Sequence, residues 1–169
     1  MDAVSALEVA CDRFESGADT VFKAFEIYMD LVGGILEEFL DAGGDAEAIS
    51  TLSEPRRTVF VVDVLMTEVN NGGFEQYYGN PMGFTAVLAP DCYRRIGMPQ
   101  LARVIENANG IFPGGPSVDE GERDEQIDTL GGRLSELLSP IEDEYFELNS
   151  DINCKNVRYM LQHQSDFFD

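Results

Sequence analysis

The chain has 169 residues, with 32 acidic side chains against 11 basic ones and a net charge of −21; its isoelectric point is near 4.1. Such a surface repels nucleic acid and anionic membranes and attracts basic partners at rates that fall with salt. The length suits one domain that buries about 70% of its unfolded surface, and the apolar runs fall short of the roughly 18–20 residues that span a bilayer. Met1 to Val4 is acidic and lacks the positive region and apolar stretch of a signal peptide, so a cytoplasmic protein is expected. Cys11, Cys92 and Cys154 are too scattered for a disulfide framework or a zinc knuckle. The acidity itself has three readings. It serves solubility alone, it suits a salt-rich cytoplasm (Lys23 and Lys155 are the only lysines), or it serves a basic partner.

Residues 2–15 read as a short helix with Val4, Leu7, Cys11 and Phe14 on one face. Gly17 breaks it, and Asp19 or Thr20 caps the next. A longer helix over about 20–41 carries Val21, Phe22, Phe25, Tyr28, Met29, Val32, Ile35, Leu36, Phe39 and Leu40, an apolar face wide enough for both flanks to pack. Gly33-Gly34 in its middle costs about 2 kcal/mol of helix propensity and suggests a kink or a close crossing. Residues 41–45 end it. After a connector over 46–53, Ser53 and Pro55 open a helix to about Asn70. Thr58 to Val62 taken alone resembles a strand, but the spacing of Val59, Phe60, Val62, Leu65, Met66 and Val69 is helical.

Asn70-Asn71-Gly72-Gly73 stops that helix, because glycine takes backbone conformations that a Cβ opposes. Phe74, Tyr77 and Tyr78 then share one face of a new turn. Phe84–Leu88 is an apolar stretch interrupted by Pro90, and a helix over about 91–96 places Tyr93 and Ile96 inward and Arg94 and Arg95 out. Pro99 opens a helix carrying Leu101, Val104, Ile105, Ala108 and Phe112. Residues 112–117 are a Pro-Gly loop, followed by the dense acidic run 119–125. Ile127, Leu130, Leu134, Leu137 and Leu138 form a core stripe that Pro140 breaks, and Ile141, Tyr145 and Leu148 form another. A last helix spans about 152–168. No segment alternates at period two for long. The expected fold is an all-α bundle of about eight helices, with a helical segment over 1–50 packed on a core over 52–168 as one compact domain.

Catalytic and metal-binding arrangements are sparse. His163 is the only histidine and excludes a two-histidine metal site; its neighbours Tyr159, Met160 and Phe167 are packing residues. A nucleophile pairing Cys154 with His163 has nothing to activate the thiol. The acidic loops lack calcium-loop spacing, and Gly72-Gly73 lacks the lysine and the strand–helix context of a phosphate loop. Neither an enzyme nor a cofactor nor a metal is expected. Carboxylates are abundant: Glu122, Glu125, Thr129 and Glu136 are read on one helix face, and Glu142, Asp143, Glu144 and Glu147 surround the next helix. Their ordinary reading is a solvated face. The functional reading is an array of negative charge that a phosphate-binding surface accepts. At the turn, Phe74, Tyr77 and Tyr78 read most simply as core, and Asn71, Gln76 and Asn80 as caps of helix ends or partners of turn backbone; the alternative is a small-molecule or peptide pocket beside Asn71, Gln76, Tyr77 and Asn80.

The stretch Glu68-Val69-Asn70-Asn71-Gly72-Gly73-Phe74-Glu75-Gln76-Tyr77-Tyr78-Gly79-Asn80 resembles the signature of a bacterial DNA-mimic protein family: a glutamate, Asn-Gly-Gly-Phe, a glutamine, two aromatics and an asparagine. Glu68, Asn71, Gly72, Gly73, Phe74, Gln76, Tyr77, Tyr78 and Asn80 carry the match. Ile96-Gly97, the helix over 101–108, Ile111-Phe112, the acidic helix and the terminal Phe167-Phe168 extend it over roughly residues 52–168. The resemblance implies a cytoplasmic, non-enzymatic, all-helical domain whose acids imitate duplex DNA and block a helix-turn-helix regulator or nucleoid protein, without membrane or direct nucleic-acid binding; a homodimer is compatible with it. The partner-facing acids are then expected to be Asp119, Glu120, Glu122, Asp124, Glu125, Asp128, Glu142, Asp143 and Glu147, and the signature residues are structural. Arg56-Arg57 and Arg94-Arg95 would interrupt an acidic face that contained them.

Overall fold

A computed structural model describes the backbone of residues 2–12 and 18–168 and the side chains of residues 2–8 and 25–168. The side chains of Cys11, Phe14, Val21 and Phe22 and the break at Gly17 lie outside the described residues; Asp19 and Thr20, read as caps, fall inside the helix Ala18–Asp41 instead of before it. The chain is all-α. Eight α-helices run in order among the described residues: α1 (Ala3–Asp12), α2 (Ala18–Asp41), α3 (Glu54–Gly79), α4 (Ala89–Arg95), α5 (Pro99–Asn109), α6 (Glu120–Leu130), α7 (Arg133–Leu148) and α8 (Ile152–Gln162). Short 3₁₀ turns at Ala48–Thr51, Pro81–Val87, Asn149–Asp151 and Gln164–Asp166 link them. No helix among the described residues is long and apolar enough to cross a membrane.

Contacts group the chain into two compact units, Met1–Phe60 with Asn153–Asp169, and Val61–Ile152. In the first, Tyr28, Val32, Ile35 and Phe39 of α2 are buried, as are Val59 and Phe60 of α3 and Val157 and Met160 of α8. The Phe39 and Phe60 rings pack with centroids 5.2 Å apart. Buried Asn156 donates to the Tyr28 hydroxyl (3.0 Å) and to the Val59 carbonyl (3.2 Å). Arg56 pairs with Glu38 at 2.7 Å and donates to the Asp166 carbonyl. The α2 face is narrower than expected. Phe25, Met29, Leu36 and Leu40 stand exposed beside the buried ridge. A Cβ at Gly33 or Gly34 would meet nothing within 4 Å, so neither glycine serves a close crossing among the described residues.

The second unit holds most of α3 and all of α4–α7. The β-branched start of α3 is helical and buried on every side from Thr58 to Val62, after which burial continues at Leu65 and Val69, one helical turn apart. Pro90 does not interrupt a helix but sits in the first turn of α4, where a missing N–H is harmless. Pro140 lies inside α7 rather than ending it. Leu134, Leu138 and Tyr145 bury the same side of the helix before and after the proline, and Glu136, whose carbonyl loses its partner, is exposed to water. Leu137, read as core, is 40% exposed. The final helix stops at Gln162, and Gln164–Asp166 tightens into a 3₁₀ turn.

Candidate functional site: the glycine turn and the acidic helix

The turn forms as its glycines dictate. Gly72 and Gly73 leave helical geometry inside α3, Gly73 at φ +76° and ψ −177°, and the helix resumes at Phe74. The Phe74 N–H donates to Glu142 Oε1 of α7 at 2.7 Å, so a carboxylate caps the positive end of the restarted segment. A Cβ on Gly73 would collide with that same carboxylate. Half-buried Glu142 is therefore committed to the fold, a correction to its reading as a partner-facing acid.

The polar signature residues form one internal network. Glu68 Oε2 accepts from Gln76 Nε2 at 2.7 Å and from Asn80 Nδ2 at 2.6 Å, which ties the helix before the turn to the helix after it. Tyr77 and Tyr78 are fully buried. The Tyr77 hydroxyl bonds Thr85 Oγ1 at 2.7 Å, and the Tyr78 hydroxyl donates to Asn109 Oδ1 at 2.8 Å. Phe74 packs edge-on to Tyr145 with centroids 5.5 Å apart, and Tyr78 does the same with Phe112 at 4.7 Å. The hydroxyls and amides that would line a pocket at the turn are thus spent inward, and the small-molecule or peptide reading loses its donors there. Asn71 alone of the proposed lining is exposed.

All six tyrosines are buried. Burial pushes the Tyr145 hydroxyl up to about 12 and Tyr77 and Tyr78 well above their ordinary range, the Tyr77–Thr85 bond partly offsetting the effect. A phenol raised in the folded state adds stability that is whole below its unfolded value near 10 and is lost as pH climbs through the folded value. Tyr145 alone carries about 3 kcal/mol of this. Above pH ~10, the tyrosinate absorbance due to Tyr77, Tyr78 and Tyr145 is expected to appear only in step with loss of helical circular dichroism. Ionisation of all six tyrosines near pH ~10 with helicity retained would contradict the burial.

Arg123 is the one cation in the acidic run of α6. It is 0% exposed. Nε donates to the Tyr78 carbonyl at 2.7 Å, Nη2 to the Asn80 carbonyl at 3.1 Å and Nη1 to the Ser117 carbonyl at 3.0 Å. Two of these carbonyls close the C-terminal end of α3, where a cation is favourable and carbonyls lack helical partners. A Cβ at Gly83 would lie 2.7 Å from Arg123 Nε and 2.7 Å from the Tyr78 oxygen. Gly83→Ala is expected to cost about 2–3 kcal/mol, because backbone rather than a flexible tip must yield. A urea midpoint unchanged in that variant would show that the site relaxes freely. The signal available beforehand was the isolation of one arginine among carboxylates.

With Arg123 turned inward, the outer face of α6 is acidic. Asp119 caps the helix, its Oδ1 accepting from the Glu122 N–H at 2.9 Å. Glu120, Glu122, Asp124, Glu125 and Asp128 are all exposed. Glu122, Glu125 and Thr129 do share a face of α6, but Glu136 belongs to α7. Asp143 and Glu147 are exposed on α7, beside Glu144. A groove of ≈ 260 Å³ runs along α6, lined by Pro113, Glu122, Glu125, Gln126, Thr129 and Leu130. Arg94, exposed on α4, pairs with Asp91 at 2.8 Å and with Glu106. Among the described residues no cluster of three or more His, Cys, Asp or Glu could hold a metal. His163 stacks on Tyr159 with centroids 4.3 Å apart.

Comparison with known families bears on this arrangement. A family model described as DMP19-like protein matches residues 50–163, more than half of the chain. The chain belongs to that family. The matched part of this DMP19-like protein takes in α3–α8, with the glycine turn, Arg123 and the acidic helix, whereas α1 and α2 precede it. The DNA-mimic family resemblance drawn from Glu68–Asn80 is borne out at the level of the family. No curated protein and no solved structure gives a match.

Proposed function

We propose that this DMP19-like protein is a non-enzymatic, cytoplasmic interaction domain that occupies the DNA-binding surface of a basic bacterial transcription factor or nucleoid protein. The observation that carries the reading is the outer face of α6, where five carboxylates stand exposed while the helix's only cation is withdrawn. Glu120, Asp124 and Asp128 are spaced four apart along one row, and Glu122 and Glu125 lie on a second. Residues 120–128 cover about 12 Å of helix axis, or one carboxylate per about 2.4 Å. Duplex DNA carries one phosphate per about 1.7 Å. The two densities are close enough for arginines and lysines arranged along a phosphate row to meet carboxylates instead, and Asp143 and Glu147 supply further charge of the same sign.

The test is capture of helix-turn-helix regulators and nucleoid proteins on the immobilised chain, across a salt series and against competing duplex DNA. Capture that both salt and DNA reverse is the expected result. Capture that DNA leaves intact, or no binding of either class, would return the acidity to solubility or salt adaptation.

A further inference from the structure

The exposed apolar side of α2 lies in the first compact unit, outside the family-matched residues, and does not rest on the reading of α6. Phe25 and Leu40 are 58% exposed, Met29 46% and Leu36 41%. At about 100° per residue these four fall within an arc of about 60°, alongside the buried ridge of Tyr28, Val32, Ile35 and Phe39. They extend over about 22 Å, or four turns. Gly33 sits at the edge of the stripe near its middle, where a Cβ would meet nothing within 4 Å, leaving a notch that a partner side chain can enter. The next arc round the helix is acidic: Glu26, Asp30, Glu37 and Asp41 are all exposed, and none is in an ion pair among the described residues.

We infer that this face of α2 docks an amphipathic helix of a basic partner, with apolar side chains on the Phe25–Leu40 stripe and lysines or arginines along the acidic flank. An apolar seam with charges on its flank is how helix pairs choose partners. The charge decides against a second copy of this chain: an antiparallel α2 pair would set the acidic flank against itself, between molecules that each carry −21.

The experiment titrates the full chain into a labelled synthetic peptide of four helical turns, with leucines on one face and lysines along the flank, and follows fluorescence anisotropy. Two control peptides replace the leucines by serine or the lysines by glutamate. Saturable binding of the first peptide alone is expected, weakened by salt and at least roughly tenfold by Leu36→Asn with Leu40→Asn. Both positions are exposed, so melting should be unchanged; Phe25→Ser, at the other end of the stripe, is the second variant. Charge reversal at Glu125 and Asp128 of α6 should leave peptide binding in place, which separates this surface from the one proposed above. Equal binding of the leucine and serine peptides, or of the parent and variant chains, would overturn the proposal. So would sedimentation as a dimer that the double variant dissociates, which would assign the stripe to a second copy.

Discussion

Arg123→Met is expected to lower the stability of the folded chain by about 3–5 kcal/mol, the largest effect of any single substitution considered. The reason lies in what the guanidinium leaves behind. Its partners are main-chain carbonyls of Tyr78, Asn80 and Ser117, and each buried carbonyl left without a donor costs about 1–3 kcal/mol. Methionine fills much of the volume but donates nothing. Lysine keeps the charge, yet one ammonium cannot reach three acceptors held in a planar fork, so Arg123→Lys should recover only part of the loss. Urea denaturation followed by circular dichroism measures both. A loss below about 1 kcal/mol would mean that water replaces the fork and that Arg123 is no anchor.

Reversing Glu120, Asp124, Glu125 and Asp128 to lysine should reduce affinity for a captured DNA-binding partner by at least about 100-fold and flatten the salt dependence by about four in the log–log slope. Each reversal adds two charges, so four move the net charge from −21 to −13 and leave the molecule soluble. All four side chains are exposed, and the melting temperature should hold. Glu142→Ala makes the contrast. It removes the cap on the Phe74 N–H and should cost about 1 kcal/mol of stability while leaving partner affinity as it was. Binding unchanged in the fourfold variant would remove α6 from the interface. Binding lost in Glu142→Ala without loss of stability would restore Glu142 to the surface role that its sequence neighbours suggested.

The sequence carried the turn almost completely. Adjacent glycines alone do not stop a helix, since Gly33-Gly34 stays helical inside α2, but Asn70-Asn71-Gly72-Gly73 reads as a stop and restart, and the aromatic residues three and four apart after it had to face one way. Its polar half was harder to read. Gln76 and Asn80 are eight and twelve residues beyond Glu68 across a kink in α3, and only the folded backbone at that kink brings the amides to one carboxylate oxygen. Glu142 is a further remove away. In the sequence it is one of several acids beside Asp143 and Glu144, and its different role appears only when α7 lies against Phe74.

What the chain determined by itself was whatever depends on neighbours along it. The helical periods, the punctuation by glycine, the acid excess and the family-like run at residues 68–80 all belong there, because helix formation and net charge are local or additive. Tertiary structure alone decided which charges face water. Arg123 and Asp124 are adjacent, yet one is buried on carbonyls from residues 78 and 80 and the other is exposed. The same holds for apolar side chains: Phe39 is buried and Leu40 is not. Burial depends on which elements pack on each face, and that is a property of the assembled chain.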